Sequence, residues 1–208
     1  MMRVLAVLAL VAAAAFAADV ARVDVPGGST PSDDDLTYFD GTNWWLTWGG
    51  LYRGTWFNTE DFYGAANDFV LEETEMWFYH HPSYPWDTDD VYFHVFNGDQ
   101  NAPGAQLDQT QVTATHISPV VVTYDPTITT EANFWLIANT ELSSGGWPAI
   151  LGDNTPNDVS HSFFSDDLIV WEPWVIQGPE ANDYQIYATG TPGAAFDNTT
   201  WGSIKTLY

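Results

Sequence analysis

Three glutamates stand among aromatic residues, where a pair of carboxylates could supply the acid and the base of glycoside hydrolysis. Glu73 and Glu75 are separated by one residue, so an extended strand would place both side chains on the same face, and Glu172 follows Trp171. The same spacing is typical of the polar outer face of a strand, and a sequence does not show how far apart two carboxylates lie. We therefore expect no catalytic residues and no enzyme, and keep a glycan-active enzyme as an alternative.

The sequence also bears on covalent catalysis. It contains no cysteine, which excludes thiol chemistry, and it has no G-x-S-x-G motif of the kind that presents the nucleophile of many serine hydrolases. Both classes are therefore set aside.

Short aspartate-rich loops offer the hard oxygen ligands that Ca²⁺ prefers. They read DTDD at 87–90, NGDQN at 97–101 and GDNTPND at 152–158. None has the ligand spacing of an EF-hand, so the prediction of calcium rests on composition, and the aspartates could instead keep the surface hydrated. The predicted Ca²⁺ ligands are Asp87, Asp89, Asp90, Asp99, Asp153 and Asp158. We expect no other cofactor.

Histidines give a second metal hypothesis. His80 and His81 precede Pro82, and His94 lies in a strand-like segment that could neighbour them. Because adjacent residues of a strand point to opposite faces, His80 and His81 do not readily share one ion. A transition-metal site is therefore less favoured than calcium.

The chain contains 11 tryptophans, and aromatic rings exposed on a β-sandwich can stack on the apolar faces of sugars. Those in loops are the candidates for contact with a ligand or partner. They are Trp44, Trp48, Tyr84, Trp86 and Trp147, and Trp174 has similar neighbours. Others lie in strand-like runs and are expected in the core: Trp56, Trp77, Trp135 and Trp171. In NWWLTWGG at 43–50, an extended chain would put Trp44 and Trp48 on one face and turn Trp45 inward.

Nearly every segment that would position these residues has the signature of a β-strand. The segments are short, rich in β-branched and aromatic residues, and bounded by Gly, Pro, Asn or Asp. They cover residues 51–59, 68–80, 91–96, 105–115, 119–124, 133–138, 149–152, 160–164, 169–174 and 183–190. We predict an all-β fold, a single antiparallel β-sandwich of the jelly-roll or Greek-key type. Consecutive apolar residues, as in 91–96, predict strands that are covered on both faces.

The first 17 residues have the parts of a signal peptide: the charge of Arg3, an apolar run at 4–16, and an A-x-A cleavage signal at 15–17. We therefore predict a secreted bacterial protein, extracellular or at the cell surface. Residues 18–36 read as an acidic Pro/Gly linker, 37–190 as the sandwich domain, and 191–208 as a linker and a tail. The apolar run is too short to span a bilayer, so we expect no membrane span.

The charge balance narrows the partners. The chain has 28 acidic residues against 4 Lys and Arg, with a formal net charge of -24. Nucleic acids and anionic lipids are bound through Lys and Arg, so both are excluded as partners. A chain that is 45% hydrophobic and 16% aromatic is not a disordered acidic segment. We expect an extracellular glycan or protein as partner, or self-association through an edge strand or the tail.

Four short motifs occur in a recognisable order. They read YFDGT at 38–42, FHVFNGDQNAPGAQL at 93–107 with a turn at 103–104, HSFFSDDLIVW at 161–171 and NDYQIYATG at 182–190. They resemble the YDDG-like start, GxPGxxL turn, RSxF segment and DYxIRA-like end of an uncharacterised β-sandwich domain of secreted bacterial proteins. The chain departs from that pattern at Phe39, and at His161 and Tyr187, where arginine is usual. The resemblance implies a sandwich for which no catalytic residues are established.

A further motif lies outside this domain. Residues 199–208 read TTWGSIKTLY and contain Lys205. They resemble a WGxIKxLY tail of secreted proteins, which implies either a docking strand or an export and attachment signal; an ordinary last strand of the sandwich is the alternative.

Taken together, these features favour a secreted non-catalytic module with a structural, adhesive or assembly role, stabilised by Ca²⁺. The alternative is a carbohydrate-binding module that uses the loop aromatics.

Overall fold

The computed structural model describes residues 19–22, 35–40, 45–48, 51–79, 87–143, 148–153, 155, 157–175 and 182–193. For 19–22 and 45–48 it describes the backbone. The predicted signal peptide and the segment 199–208 lie outside these ranges.

The first sheet has seven strands. They are β1 (Asp19–Arg22), β2 (Asp35–Leu36), β3 (Trp45–Trp48), β5 (Phe69–Tyr79), β8 (Pro119–Thr130), β10 (Ala149–Gly152) and β13 (Ile186–Pro192). Their order is β1-β3-β10-β5-β13-β2, and β8 also pairs with β5. Strand β5 organises the sheet, because β13 and β8 pair with most of its length and β10 pairs with its last two residues.

The second sheet has six strands in the order β12-β11-β4-β9-β6-β7. They are β4 (Tyr52–Asn58), β6 (Asp90–Asp99), β7 (Ala102–Thr113), β9 (Asn133–Asn139), β11 (Ser162–Ser165) and β12 (Glu172–Pro173). All the strand pairs in both sheets are antiparallel.

The main core lies between the sheets, because it contains buried side chains from both. Phe57 of β4 stacks on Phe134 of β9 with ring centroids 5.2 Å apart, and Phe134 stacks on Phe69 of β5 at 5.6 Å. Removing such rings from water is the main favourable term in folding. The prediction of an all-β antiparallel sandwich is confirmed.

Each sheet is also covered on part of its outer face. Trp56, Trp135 and Phe163 belong to an apolar cluster on the second sheet, and Trp77 and Leu151 belong to another on the first sheet. Alternating residues of β4 and β9 therefore face two different apolar surroundings. This explains why their sequences are apolar at consecutive positions, as predicted for strands covered on both faces.

A five-residue helix, α1 (Thr59–Tyr63), was not expected from the sequence. The Asn58 side chain accepts a hydrogen bond from the Glu60 amide and caps the first turn. Gly64 ends the helix with φ of 68°, a left-handed conformation that glycine adopts at little cost.

Most predicted strands are present, with three differences. The turn expected at 103–104 is wrong: Pro103 pairs with Gly98 inside the β6–β7 hairpin, and the turn lies at Gln100–Asn101. Strand β8 continues to Thr130, and the segment 169–174 contributes only Glu172–Pro173. The sheet also extends past the predicted domain boundary at 37, because β1 and β2 are part of it. No helix in the described ranges is long and apolar enough to cross a membrane.

Candidate functional site

The strongest concentration of unusual chemistry is a pair of aspartates inside the first sheet. Gly152, the last residue of β10, pairs with Tyr184 in an antiparallel bridge, so Asp153 and Asp183 lie opposite each other. The Asp153 amide donates to the Asp183 carbonyl at 2.9 Å, and the Asp183 amide donates to Asp153 Oδ1 at 3.0 Å. Both residues are 0% exposed. Two carboxyl groups are thus held side by side away from solvent.

Gly152 allows this arrangement. A Cβ atom at this position would lie 2.3 Å from Trp174 Cη2 and 2.8 Å from the Asp183 carbonyl oxygen. Trp174 is fully buried and stacks on Tyr184 with ring centroids 4.6 Å apart. The absence of a side chain at Gly152 therefore lets the Trp174 ring pack where the aspartate pair begins.

The oxygens of the pair accept hydrogen bonds from neutral donors. Asp153 Oδ2 accepts from the Asp40 amide at 3.2 Å, and Asp183 Oδ1 accepts from the Ser162 hydroxyl at 3.3 Å. Asp183 Oδ2 accepts from the Asn157 side-chain amide, and Asp40 Oδ2 accepts from the Thr155 hydroxyl. Four segments that are distant in sequence thus meet at the pair.

This environment disfavours two negative charges. Burial, opposed in part by hydrogen bonds, raises the pKa of Asp153 to about 7. Burial, and then the nearby Asp153 carboxylate, raise the pKa of Asp183 to about 8. Within the part of the chain that the structure describes, no Lys, Arg or His forms an ion pair with either group. A proton, or a cation, is needed to compensate the charge at neutral pH.

The pair does not by itself make a metal centre. In the described ranges, no group of three or more His, Asp or Glu side chains is arranged to hold a metal ion. A Ca²⁺ ion takes six to eight oxygen ligands, so amide, hydroxyl or carbonyl oxygens would have to supplement Asp153 and Asp183. Calcium stays a prediction.

The other predicted Ca²⁺ ligands are spread over the molecule. Asp90 accepts from the side chains of Gln111 and Thr113 at 3.0 and 2.9 Å, which ties β6 to β7. Asp99 accepts from the Asn101 amide at 2.8 Å, and this bond lowers the pKa of Asp99. Asp87 and Asp89 are exposed in the loop before β6. The hydrogen bonds of Asp90 and Asp99 give both residues a structural role. Neither residue lies together with Asp153.

Asp158 lies instead in a shallow groove of about 500 Å³ on the second sheet. The apolar lining consists of Val159, Phe163, Trp171 and Pro173, and the polar lining consists of Gln100, Asn101, Asp158 and Ser160. Trp171 was expected in the core, but it is only half-buried: its ring packs on Trp135 with centroids 5.0 Å apart. The groove therefore combines an accessible indole with amide, hydroxyl and carboxylate groups, and none of its described lining residues is Lys, Arg or His.

Four hydrogen bonds fix the groove walls and the loop beside them. The Gln100 side-chain amide donates to the Ser160 carbonyl at 3.1 Å, which joins the β6–β7 turn to the chain before β11. Trp171 Nε1 donates to the Leu168 carbonyl at 3.1 Å. Asp167 accepts from the backbone amides of Ile169 and Val170 at 2.9 and 3.0 Å, which orders the loop between β11 and β12.

The loop aromatics predicted to contact a ligand fall mostly outside the described residues. This applies to Trp44, Tyr84, Trp86 and Trp147, and also to His80 and His81. Trp48 ends strand β3, but only its backbone is described, so the predicted facing of Trp45 and Trp48 stays a prediction. The expectation that Trp174 resembles these loop aromatics is wrong, because its ring is fully buried beneath the aspartate pair.

The glutamates and His94 form ordinary structural contacts. Glu75 Oε1 accepts from Trp77 Nε1 at 2.6 Å, and Glu73 Oε1 accepts from the Thr123 hydroxyl at 3.1 Å. Glu172 is exposed on β12. Burial lowers the pKa of His94, whose Nε2 lies 3.2 Å from the Asn139 side-chain amide.

One histidine that the sequence gave no reason to select is placed in an aromatic stack. The ring of His161 lies 3.5 Å from that of Tyr38 and 5.7 Å from that of Trp56, nearly parallel to both. Burial lowers the pKa of His161 to about 4, although Asp61 lies 3.6 Å away. At neutral pH the stack therefore contains an uncharged imidazole ring.

The edges of the two sheets differ in how far they are protected. Among the described strands, β7 pairs only with β6, and it is 12 residues long with most side chains from Gly104 to Thr113 exposed. Strand β8 is also an edge, but it contains Pro119 and Pro126. The edge strands β2 and β12 have two residues each. Among the described edge strands, β7 therefore has the longest stretch without proline, the ten residues 104–113.

Comparison of the chain with models of protein families, with curated proteins and with solved structures finds no match. The structure alone defines the class, an antiparallel all-β sandwich with a carboxyl pair buried in one sheet.

Proposed function

We propose that this protein is an exported, non-catalytic β-sandwich module that assembles with copies of itself outside the cell. The observation that carries the proposal is the long edge of β7. Export rests on the signal-peptide pattern of residues 1–17.

An unpaired edge presents a row of N–H and C=O groups to another strand, and natural proteins usually blunt such edges with lysine, proline or very short strands. From 104 to 113, β7 reads GAQLDQTQVT and contains no lysine or proline; Pro103 precedes this stretch, and two irregularities in the pairing with β6 lie between Pro103 and Asp108. Its one charged residue, Asp108, accepts a hydrogen bond from Thr110 of the same strand. Residues of an added strand would therefore meet neutral side chains at every position from 104 to 113 except Asp108.

The net charge acts against assembly. At a formal charge of -24, two copies repel each other until salt or bound cations screen the repulsion. Assembly through β7 should therefore increase with ionic strength, whereas assembly driven by opposite charges would decrease.

The test is sedimentation velocity on the chain without residues 1–17, over a range of protein and salt concentrations. We expect oligomers whose population grows with salt and is strongly reduced by Gln109→Asp, which places a charge on the exposed face of β7. Ile169→Asp is the matched control, since Ile169 is 77% exposed and follows β11, next to the opposite edge of the sheet. A protein that stays monomeric throughout, or oligomers that Gln109→Asp leaves intact, would reject the proposal.

The groove beside Trp171 supports a second candidate function, binding of a neutral carbohydrate. An indole face can pack against the C–H face of a sugar ring, while the side chains of Gln100, Asn101 and Asp158 accept or donate hydrogen bonds to hydroxyl groups. Anionic sugars are disfavoured, because none of the lining residues that the structure describes is positively charged.

A glycan array tests this candidate with the wild-type protein, Trp171→Ala and Tyr63→Ala. Tyr63 is a comparably accessible aromatic residue on α1, and it serves as the control. Binding that is lost in Trp171→Ala and kept in Tyr63→Ala supports the groove, provided that both variants melt cooperatively. Binding that survives Trp171→Ala excludes it.

A further inference from the structure

The strand that β7 receives can be inferred from the sequence and from the direction in which the strands run. We infer that residues 199–208 of one copy add to the β7 edge of a neighbouring copy as an antiparallel strand. This inference rests on the proposed self-assembly and names the segment responsible for it.

The composition of 199–208 suits an added strand. The segment reads TTWGSIKTLY, which is rich in β-branched and aromatic residues, and it has no proline. It contains Lys205 and no Asp or Glu, in a chain with 28 acidic residues and only 4 Lys and Arg. A segment without acidic side chains adds less repulsion to an acidic partner surface than a second β7 strand, which would bring another Asp108 to the same edge.

Its length also matches. The ten residues of 199–208 equal the ten residues of β7 from Gly104 to Thr113, seven of which are exposed. Strand addition of this kind derives affinity from backbone hydrogen bonds and specificity from alternate side chains.

The topology distinguishes addition within one copy from addition between copies. Strand β13 ends at Pro192, which pairs with Phe69 of β5, and Phe69 also pairs with Thr130 of β8. The Glu131 amide donates to the side chain of Asn97 at 2.9 Å, close to where β7 begins. The chain therefore leaves the first sheet at the end of the sandwich where β7 starts, and β7 runs away from that end.

An antiparallel partner of β7 must begin at the opposite end, beside Thr113. From Gly193, whose amide still donates to the Asp68 carbonyl at 2.6 Å, six residue steps lead to residue 199. Six steps span at most ~22 Å. Nine steps along β7 cover ~31 Å. Residue 199 thus cannot reach the far end of its own β7, so antiparallel addition joins two copies.

Such an interface is heterologous, because one copy contributes residues 199–208 and the other contributes β7. An interface of this type closes into a ring or continues as an open chain of copies. Each copy would offer one acceptor edge and one donor segment.

Cysteine cross-linking provides a direct test, because the chain has no native cysteine. In the antiparallel arrangement that aligns 199 with 113, Ser203 lies opposite Gln109. We expect a disulfide between chains when Ser203→Cys and Gln109→Cys proteins with different tags are mixed and oxidised. Val121→Cys, at a 44% exposed position on the proline-containing edge β8, is the control acceptor. The inference is wrong if Ser203→Cys cross-links to Gln109→Cys no more strongly than to Val121→Cys. It is also wrong if the disulfide forms only within one chain that carries both Ser203→Cys and Gln109→Cys.

A truncated chain that ends at residue 198 separates the two proposals. We expect truncation to abolish self-association, and a labelled peptide of sequence TTWGSIKTLY to bind the truncated protein but not its Gln109→Asp variant. If the truncated protein still assembles through β7, the inference about 199–208 is wrong while the proposed function stands. If the intact chain never assembles, both are wrong.

Discussion

The buried aspartate pair predicts an unusual dependence of stability on pH. Burial raises the pKa of Asp153 from an ordinary value of 3.8 to about 7, and that of Asp183 to about 8. Both groups bind a proton more tightly in the folded protein than in the unfolded chain. Their stabilising contribution is therefore complete below pH ~4 and is lost as the pH rises through 7 to 8.

The size of the effect follows from one proton held by the pair. A pKa unit corresponds to ~1.4 kcal/mol, so a proton bound with a pKa of about 7 instead of 3.8 contributes ~4 kcal/mol. This is a large part of the ~5–15 kcal/mol by which domains are stable. The contribution of His161 to stability changes with pH in the opposite direction, because burial lowers its pKa to about 4. That contribution changes only between pH 4 and about 6.5.

Urea unfolding at pH 5, 7 and 9 measures this dependence. We expect the free energy of unfolding of the wild-type protein to fall by several kcal/mol between pH 5 and pH 9, and expect Asp183→Asn to reduce that fall markedly. Asp158→Asn, at an exposed position, is the control for removing one acidic group. The two proteins are compared by how steeply the free energy of unfolding changes with pH, because asparagine also changes the hydrogen bonds of the pair and so the absolute stability. If that dependence on pH is equal in the wild-type protein and Asp183→Asn, the pair does not cause it.

Three further predictions concern the site and the core. Ca²⁺ should raise the melting temperature more at pH 8 than at pH 5, because a proton occupies the pair at low pH. Asp183→Asn should remove this difference between the two pH values. If Ca²⁺ raises the melting temperature of Asp183→Asn as much as that of the wild-type protein, calcium binds elsewhere. Gly152→Ala should destabilise the fold by about 2–3 kcal/mol in urea unfolding, because the new Cβ would overlap Trp174, and an unchanged midpoint would contradict this packing. Phe134→Ala should cost about 3–5 kcal/mol, since its ring is fully buried and stacks on rings from both sheets; a loss below 1 kcal/mol would mean that the core closes over the cavity.

The sequence predicts the strands well where a single segment contains the whole signal. The expected strands at 51–59 and 68–80 correspond to β4 and β5 within one or two residues, because their β-branched and aromatic runs begin directly after Gly50 and Asn67. Helix α1 was missed because five residues give no helical period, and its start depends on the Asn58 cap.

The candidate site was only half predicted, for a physical reason. Asp153 was selected because its loop is rich in oxygen ligands, whereas Asp183 was taken as the start of a strand. What makes the pair unusual is the bridge between Gly152 and Tyr184, which places the two carboxyl groups together, and a single sequence does not show such a register. Trp171 and Trp174 were misjudged for a similar reason, because their exposure depends on how the outer faces of the sheets are covered.

Hydrogen exchange on β7 shows whether copies of the protein assemble through this strand. The amides of residues 104–113 are measured in dilute protein and again at high protein concentration in high salt. We expect those β7 amides that do not bond to β6 to become protected on assembly, while exchange at β8 is unchanged. Assembly without new protection in β7, or with protection confined to another edge, would contradict the claim that this strand is the site of assembly.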